Sequence, residues 1–349
     1  MVGDPTPRSR TTGSGSPDPR ILLERMGLGD TIVGARFTAL SGGVSSDIWL
    51  VDSPSGQLIL KRPRHQLDVE NTWVVPVDRG QAEVDWLRCV GQFFPDNVPR
   101  VLAYDPDTFS TALSYFPADR HTNWKTTLLA GDVDSGFAGR LGQLLGDLHS
   151  VTYARPDLAA DFDNDDLFYL LRIEPFLERV GQVLPEVGGA IARSSDSLRS
   201  TSLALVHGDF SPKNILVDHT LSSPRPIVLD AECAVWGDPA FDVAFCLAHL
   251  ALKSIHVPGA SEAIIEAATQ FRAGYFGACP HDIAPGISER LGELIPALLL
   301  ARVVGSSPAG YLSKEEESLV THAAVTSLVS GDPCGSLLHP EKGLSDYPW

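Results

Sequence analysis

The 349-residue sequence predicts an α+β protein of two lobes, a small antiparallel β-sheet lobe followed by a larger, mainly helical lobe. Three observations carry this. Short extended segments divided by turn-forming residues fill the first third. After Phe116-Pro117 the apolar spacing changes to helical periodicity. The segment 207–232, in which two apolar triplets joined by a polar connection read as a hairpin, interrupts the helical part.

The first twenty residues are rich in Pro, Gly, Ser, Thr and Arg and lack an apolar core, so residues 1–20 read as a disordered tail rather than a signal peptide. Residues 21–117 read as the first lobe. Ile21–Met26 is a short helix. Arg36–Leu40, Asp47–Val51 and Leu58–Arg62 are strands, divided by Ser41-Gly42-Gly43 and Ser53-Pro54-Ser55-Gly56. A helix follows from about Arg79 to Val90, with Val84, Leu87 and Val90 on one face. Val101–Tyr104 and Ser110–Tyr115 complete a five-stranded sheet.

Residues 118–349 read as the second lobe. Phe137, Leu141, Leu144, Leu145 and Leu148 share one helical face. Asp166–Val183, Ser261–Phe276, Ile287–Val304 and Lys314–Ser330 also read as helices, and Phe241–Ile255 as a buried one. The segment after Gly331 reads as irregular. No apolar run reaches the roughly 18 residues a membrane span needs. Five cysteines without CxxC spacing argue against a disulfide framework or zinc site and fit a reducing, cytoplasmic setting. A formal charge of −17 argues against a nucleic-acid partner.

The chemistry concentrates in His207-Gly208-Asp209-Phe210-Ser211-Pro212-Lys213-Asn214, followed by the apolar triplets Ile215–Val217 and Ile227–Leu229 and then Asp230-Ala231-Glu232. If the triplets pair as a hairpin, Asn214 and Asp230 sit side by side at its open end. An amide oxygen and a carboxylate there suit Mg²⁺, which takes few protein oxygens and completes its shell with phosphate and water. Asp209, across a loop stiffened by Pro212, can reach the same cleft and accept a hydroxyl proton.

The spacing H-x-D-x-x-x-x-N with a later Asp resembles the catalytic and metal loops of protein kinases. The His-Gly-Asp form with Asp-x-Glu resembles more closely the aminoglycoside phosphotransferase and choline kinase family, which includes methylthioribose kinases. The resemblance implies a protein-kinase-like two-lobed fold and phosphoryl transfer from ATP, with GTP open, to a hydroxyl of an amino-sugar antibiotic, a sugar or an amino-alcohol. By position, Asp209 resembles the catalytic base, and Asn214 and Asp230 the Mg²⁺ ligands. His207 and Asp242 resemble structural support, Asp242 bracing the loop from the helix behind it.

In the first lobe, Lys61 ends the third strand, where this fold places the lysine that contacts nucleotide phosphates, and Glu83 is its candidate partner. Arg62 is the alternative to Lys61, because a one-residue slip exchanges strand faces. Gly42, Gly43, Ser45 and Ser46 resemble the short Gly-Gly-x-Ser phosphate loop of small-molecule kinases. Tyr115 and Phe116 fall where the lobes join and adenine is held; Pro117 has no N–H to offer. For the acceptor, Glu232 and Arg302 are candidates. Arg302 binds substrate or pairs with a carboxylate, and Ala301 replaces the first of the two adjacent arginines found in methylthioribose kinases. The acidic cluster Asp157, Asp161, Asp163, Asp165 and Asp166 holds a cationic acceptor or is solvated at a helix start. A silent nucleotide-binding or scaffold protein is the competing class; every expected catalytic position is filled.

Overall fold

The computed structural model describes residues 18–40, 45–64, 75–332, 334–339 and 348. Most of the predicted tail and the Gly42-Gly43 turn lie outside them. Pro19 and Arg20, assigned to the tail, instead open helix α1 (Pro19–Arg25), whose start is fixed by Asp18 Oδ1 accepting the Arg20 amide at 2.9 Å.

The first lobe is a five-stranded antiparallel sheet in the order β1-β2-β3-β5-β4: β1 Arg36–Ala39, β2 Ser46–Ser53, β3 Gly56–Pro63, β4 Val101–Asp105 and β5 Ser110–Ser114. One face buries Val51, Leu58, Leu60 and Ala112 against Leu22 and Leu23 of α1. Helix α2 (Arg79–Phe93) buries Val84, Trp86, Leu87 and Val90. It carries Glu83 to the inner end of β3.

The second lobe contains α3 (Trp124–Leu129), α4 (Ser135–Thr152), α5 (Pro156–Asp161) and α6 (Asp165–Phe168). A π-wound stretch (Tyr169–Glu178) continues into α7 (Arg179–Val183), followed by α8 (Gly188–Ser200). Strands β6 (His121–Asn123), β8 (Ile215–Asp218) and β9 (Arg225–Val228) form one small sheet, and β7 (Ala204–Val206) pairs with β10 (Val235–Gly237) in another. Helices α9 (Ala240–His256), α10 (Ser261–Ala278), α11 (Ala284–Val304), α12 (Lys314–Ser330) and α13 (Cys334–Leu338) complete it. Among the described residues no single helix is long and apolar enough to cross a membrane.

Helix α9 is buried from Ala240 to Ser254, as its near-continuous apolar sequence predicts. Helices α4 and α10 approach through glycine: a Cβ at Gly142 would lie 1.9 Å from the Phe271 carbonyl oxygen, and one at Gly274 2.2 Å from the Gly139 carbonyl oxygen. Only glycine permits that axial separation.

Two further expectations need correction. Asp166–Val183 is a continuous helical run but not a plain α-helix. Pro175 offers no N–H and crowds the carbonyl four residues before it, that of Leu171. The winding loosens to the π form, and the Leu171 carbonyl accepts instead from Arg172 Nη1 at 2.7 Å. The segment after Gly331 is not wholly irregular: Cys334–Leu338 is a helix whose Cys334 and Leu338 are buried.

Candidate active site

The hairpin predicted from the two apolar triplets forms, but one residue out of the triplet-on-triplet register, so that Asn214 faces Leu229 and Asp230 lies one residue beyond the last pair. Ile215 pairs with Val228 and Leu216 with Ile227, and the Leu229 amide donates to the Asn214 carbonyl at 2.9 Å. Asn214 and Asp230 therefore flank the mouth of one hairpin. Asp230 has a φ of 67°, a left-handed conformation that Asp tolerates better than most residues and that turns its carboxylate away from the strand direction. The Asn214 side-chain amide donates to the Asp209 carbonyl at 3.0 Å. With its nitrogen so engaged, its oxygen is the atom left to face a cation. One amide oxygen and one carboxylate fit Mg²⁺ bound mainly by phosphate and water.

The loop carrying Asp209 is built on buried polar contacts. Asp242, near the start of α9, accepts the His207 amide at 2.7 Å and the Gly208 amide at 2.9 Å. The Asp209 amide donates to His207 Nδ1 at 3.1 Å, so the ring proton sits on Nε2, which donates to the Leu229 carbonyl at 3.0 Å. Burial pushes the His207 imidazole below its ordinary value, keeping it neutral in that tautomer. Gly208 adopts φ 74°, and a Cβ there would lie 2.3 Å from the Cys233 carbonyl oxygen. Both side-chain volume and backbone conformation therefore demand glycine. His149 backs Asp242, its Nε2 lying 3.5 Å from Asp242 Oδ2.

Asp209 is buried and meets two cations: Arg172 Nη2 at 3.1 Å and Lys213 Nζ at 2.9 Å. Burial alone would raise its pKa. Lys213 and Arg172 outweigh burial and hold the carboxyl below its ordinary value. Arg172 comes from the π-wound stretch and also donates to the Gly208 carbonyl. Pro175 and Arg172 thus act together, the looser winding accompanying a guanidinium that reaches the Gly208–Asp209 loop.

From the first lobe, Lys61 Nζ reaches Glu83 Oε2 at 2.7 Å and also pairs with Asp230. Burial works against the Lys61 charge, yet Asp230 and Glu83 hold it protonated. Burial pushes the Glu83 carboxyl up, to about 7, against the pull of Lys61. Asp230, despite burial, is held well below the carboxylate range by Lys61 and Lys213. The alternative, Arg62, points away from this cluster to Asp47 at 3.1 Å. Asp85 hydrogen-bonds with Gln81 and takes no part.

Several predicted residues stand elsewhere. Glu232 accepts from the fully buried Arg79 at 3.2 Å. Arg79 also donates to the Ser45, Arg64 and Pro76 carbonyls, each at 2.6 Å, and so ties the strand β2 entrance to the second lobe. Ser46 opens β2 with its hydroxyl buried and unpaired among the described residues. Gly42 and Gly43 lie outside those residues. Tyr115 and Phe116 follow β5; the Phe116 ring meets His121 edge-on at 5.2 Å. Arg302 pairs with no carboxylate among the described residues and donates to the Ser307 carbonyl and hydroxyl. Asp165 and Asp166 line a cavity of about 480 Å³ whose lining includes none of Asp209, Asn214 or Asp230. That part of the acidic cluster is outside the cleft.

Sequence reasoning missed Arg172, Lys213, Arg79 and His149. Lys213 had a usable signal, a lysine four residues after Asp209. The other three lie far from the motif in sequence, and only the fold brings them to it.

A family profile described as the phosphotransferase enzyme family matches residues 36–280. The methylthioribose kinase of Yersinia enterocolitica serotype O:8 / biotype 1B is 25% identical over 256 residues, covering 65% of this chain and 57% of that kinase. The chain thus matches little more than half the length of that relative. Among solved structures, an ethanolamine kinase from Plasmodium vivax superposes with a TM-score of 0.55 at 10% identity, covering 87% of this chain and 85% of that one. A choline kinase from Cryptosporidium parvum Iowa II gives 0.54 at 11% identity, covering 92% and 98%. At these identities the likeness shows the fold, a two-lobed kinase-like one.

Proposed function

The chain belongs to the phosphotransferase enzyme family, and we propose that it transfers the γ-phosphoryl group of ATP or GTP to a hydroxyl of a small molecule. The observation that carries this reading is the convergence of Asp209, Asn214 and Asp230 at the mouth of one hairpin, opposite the Lys61–Glu83 pair. Kinase chemistry needs an acceptor-orienting carboxylate, oxygen ligands for a metal and a cation for phosphate, all in one cleft.

In the proposed reaction the acceptor oxygen attacks the γ-phosphorus. The bond from that phosphorus to the β-bridging oxygen breaks, and the nucleoside diphosphate leaves. Asp209 orients the hydroxyl and takes its proton. Lys213 and Arg172 make Asp209 a weak base, which suits a loose transition state in which the proton moves late. Mg²⁺, when bound, would supply charge neutralisation at the β- and γ-phosphates, held by Asn214 and Asp230. Lys61 would release Asp230 and turn to the phosphates while Glu83 retains it.

The named acceptors of the relatives, methylthioribose, choline and ethanolamine, support a small hydroxylated substrate. Calorimetry with ATP and GTP, with and without Mg²⁺, together with diphosphate release across a panel of hydroxyl compounds, tests the reading. Mg²⁺-dependent binding and acceptor-stimulated release are expected. Nucleotide binding that no acceptor converts to release would favour a silent nucleotide-binding protein.

A further inference from the structure

The second-lobe wall beside Asp209 is cationic, although the whole chain carries a formal charge of −17. Asn123 caps α3 and donates its side-chain amide to the Lys213 carbonyl at 2.7 Å, which sets Lys125 beside the catalytic loop. Lys125 Nζ lies 5.9 Å from the centre of the Tyr311 ring, and Lys253 Nζ, from α9, lies 5.4 Å from it. Arg302 and Arg172 approach the Phe176 ring, at 6.0 and 5.3 Å, and Arg172 reaches Asp209.

Among the described residues, no carboxylate lies within ion-pair distance of Lys125, Lys253 or Arg302. Lys253 is 1% exposed and, among the described residues, donates only to the His249 carbonyl at 3.2 Å. The Tyr311 hydroxyl and Arg302 Nε are buried without a hydrogen-bond partner among the same residues. The neighbouring carboxylate, Glu316, is committed to His256 at 3.1 Å and to the Ser313 amide at 2.7 Å. Burial pushes the Lys253 ammonium down, to about 7, with Lys125 and Arg302 adding to it. A buried ammonium without a counter-charge is costly, and the Tyr311 ring offsets only part of that.

We propose that the acceptor is an anionic hydroxyl compound, whose carboxylate or phosphate is bound by Lys125, Lys253, Arg302 and the Tyr311 hydroxyl while its hydroxyl faces Asp209. This rests on the kinase reading above. The phosphoryl transfer is unchanged: the acceptor oxygen gains phosphorus, its proton goes to Asp209, and nucleoside diphosphate leaves. Choline and ethanolamine are cations, and a wall of this sign repels them.

The test uses the full chain, Mg²⁺-ATP and four acceptors of matched six-carbon length: D-gluconate, sorbitol 6-phosphate, sorbitol and glucosamine. ADP release with gluconate or sorbitol 6-phosphate is expected to exceed that with the neutral and cationic compounds by about tenfold or more in kcat/KM, the better anion identifying the group bound. The same compounds are followed by thermal shift with a non-hydrolysable nucleotide, where only the two anions should stabilise. Lys253→Met should abolish the anion preference, mainly through KM. Without ligand it should raise Tm, by about 2–4 °C, because a site built for a ligand is held at the expense of stability. Lys253→Arg should restore the preference in part. Lys125→Met, at a half-buried position, gives the same KM readout if the Lys253 variant does not fold. Equal or better turnover with sorbitol or glucosamine overturns the proposal, as does an absence of anion-selective stabilisation. Mg²⁺-dependent nucleotide binding, followed by a fluorescent ATP analogue, is read separately. Its retention without anion preference defeats this proposal alone, and its loss defeats the kinase reading.

Discussion

Arg172 Nη2 stands 3.1 Å from Asp209 Oδ2, with both side chains buried. The proposed base is therefore charged and fixed in direction before any acceptor arrives. Replacing Arg172 by Met should lower kcat by about 10- to 100-fold, since a positioning contact is lost. The acid limb of the kcat/KM profile should move to higher pH. That sign follows because Arg172 helps hold the Asp209 pKa down, and its removal lets burial raise it. A variant whose kcat falls with an unmoved acid limb would show a packing role instead.

Asp209→Asn keeps the shape of the loop and removes the proton acceptor. Turnover should drop by about 10²–10⁴-fold, while the Kd for Mg²⁺-nucleotide changes by less than about threefold. Full activity would remove Asp209 from the mechanism.

Asp230→Ala should act on the other side of the reaction. It removes a proposed metal ligand and frees Lys61, so Mg²⁺-dependence of nucleotide binding should flatten in calorimetry. Metal-independent binding should survive, because Lys61 remains paired with Glu83 at 2.7 Å.

Asp242→Ala leaves the amides of His207 and Gly208 buried without acceptors. A loss of about 2–4 kcal/mol is expected, read as a fall in the denaturant midpoint. Gly208→Ala should cost a similar amount through the clash with Cys233.

Lys253 makes stability depend on alkaline pH. Its folded pKa, about 7, lies below the ordinary 10.5, so the unfolded chain takes up the proton first as pH falls. Stability should decline from about pH 10.5 to about pH 7 and level off below. Around Lys253 stand Lys125, Arg302, His249, Cys246 and Tyr311. The Lys253→Met variant should lack this slope in chemical denaturation series, and an equal slope in both proteins would assign it elsewhere.

Local patterns carried much of the architecture. The five strands of the first lobe were legible because alternation and turn-formers act within a few residues. Asp209, Asn214 and Asp230 were legible because one hairpin joins them. The helices α3, α5 and α8 escaped for the opposite reason. They are short or begin with poor helix formers, Gly188 and Gly189 in α8, and stand by tertiary packing. Strands β6, β7 and β10 have only three residues each, too few for a period to register. Arg172 was hidden twice, by its distance from the motif and by a π winding that Pro175 imposes locally. The proposed acceptor wall gathers Lys125, Lys253 and Arg302 from three helices, and no spacing rule links them.

The glycine contact between α4 and α10 bears on how this protein would look in a saturation mutagenesis screen. Gly142 and Gly274 tolerate no side chain, because the opposing backbone occupies the volume a methyl group would need. Both would score as intolerant as Asp209, yet neither touches the proposed reacting groups. Selection for activity alone would merge these positions with the cleft. Only a parallel measurement of folded abundance would separate the residues that hold two helices together from those proposed to handle phosphate.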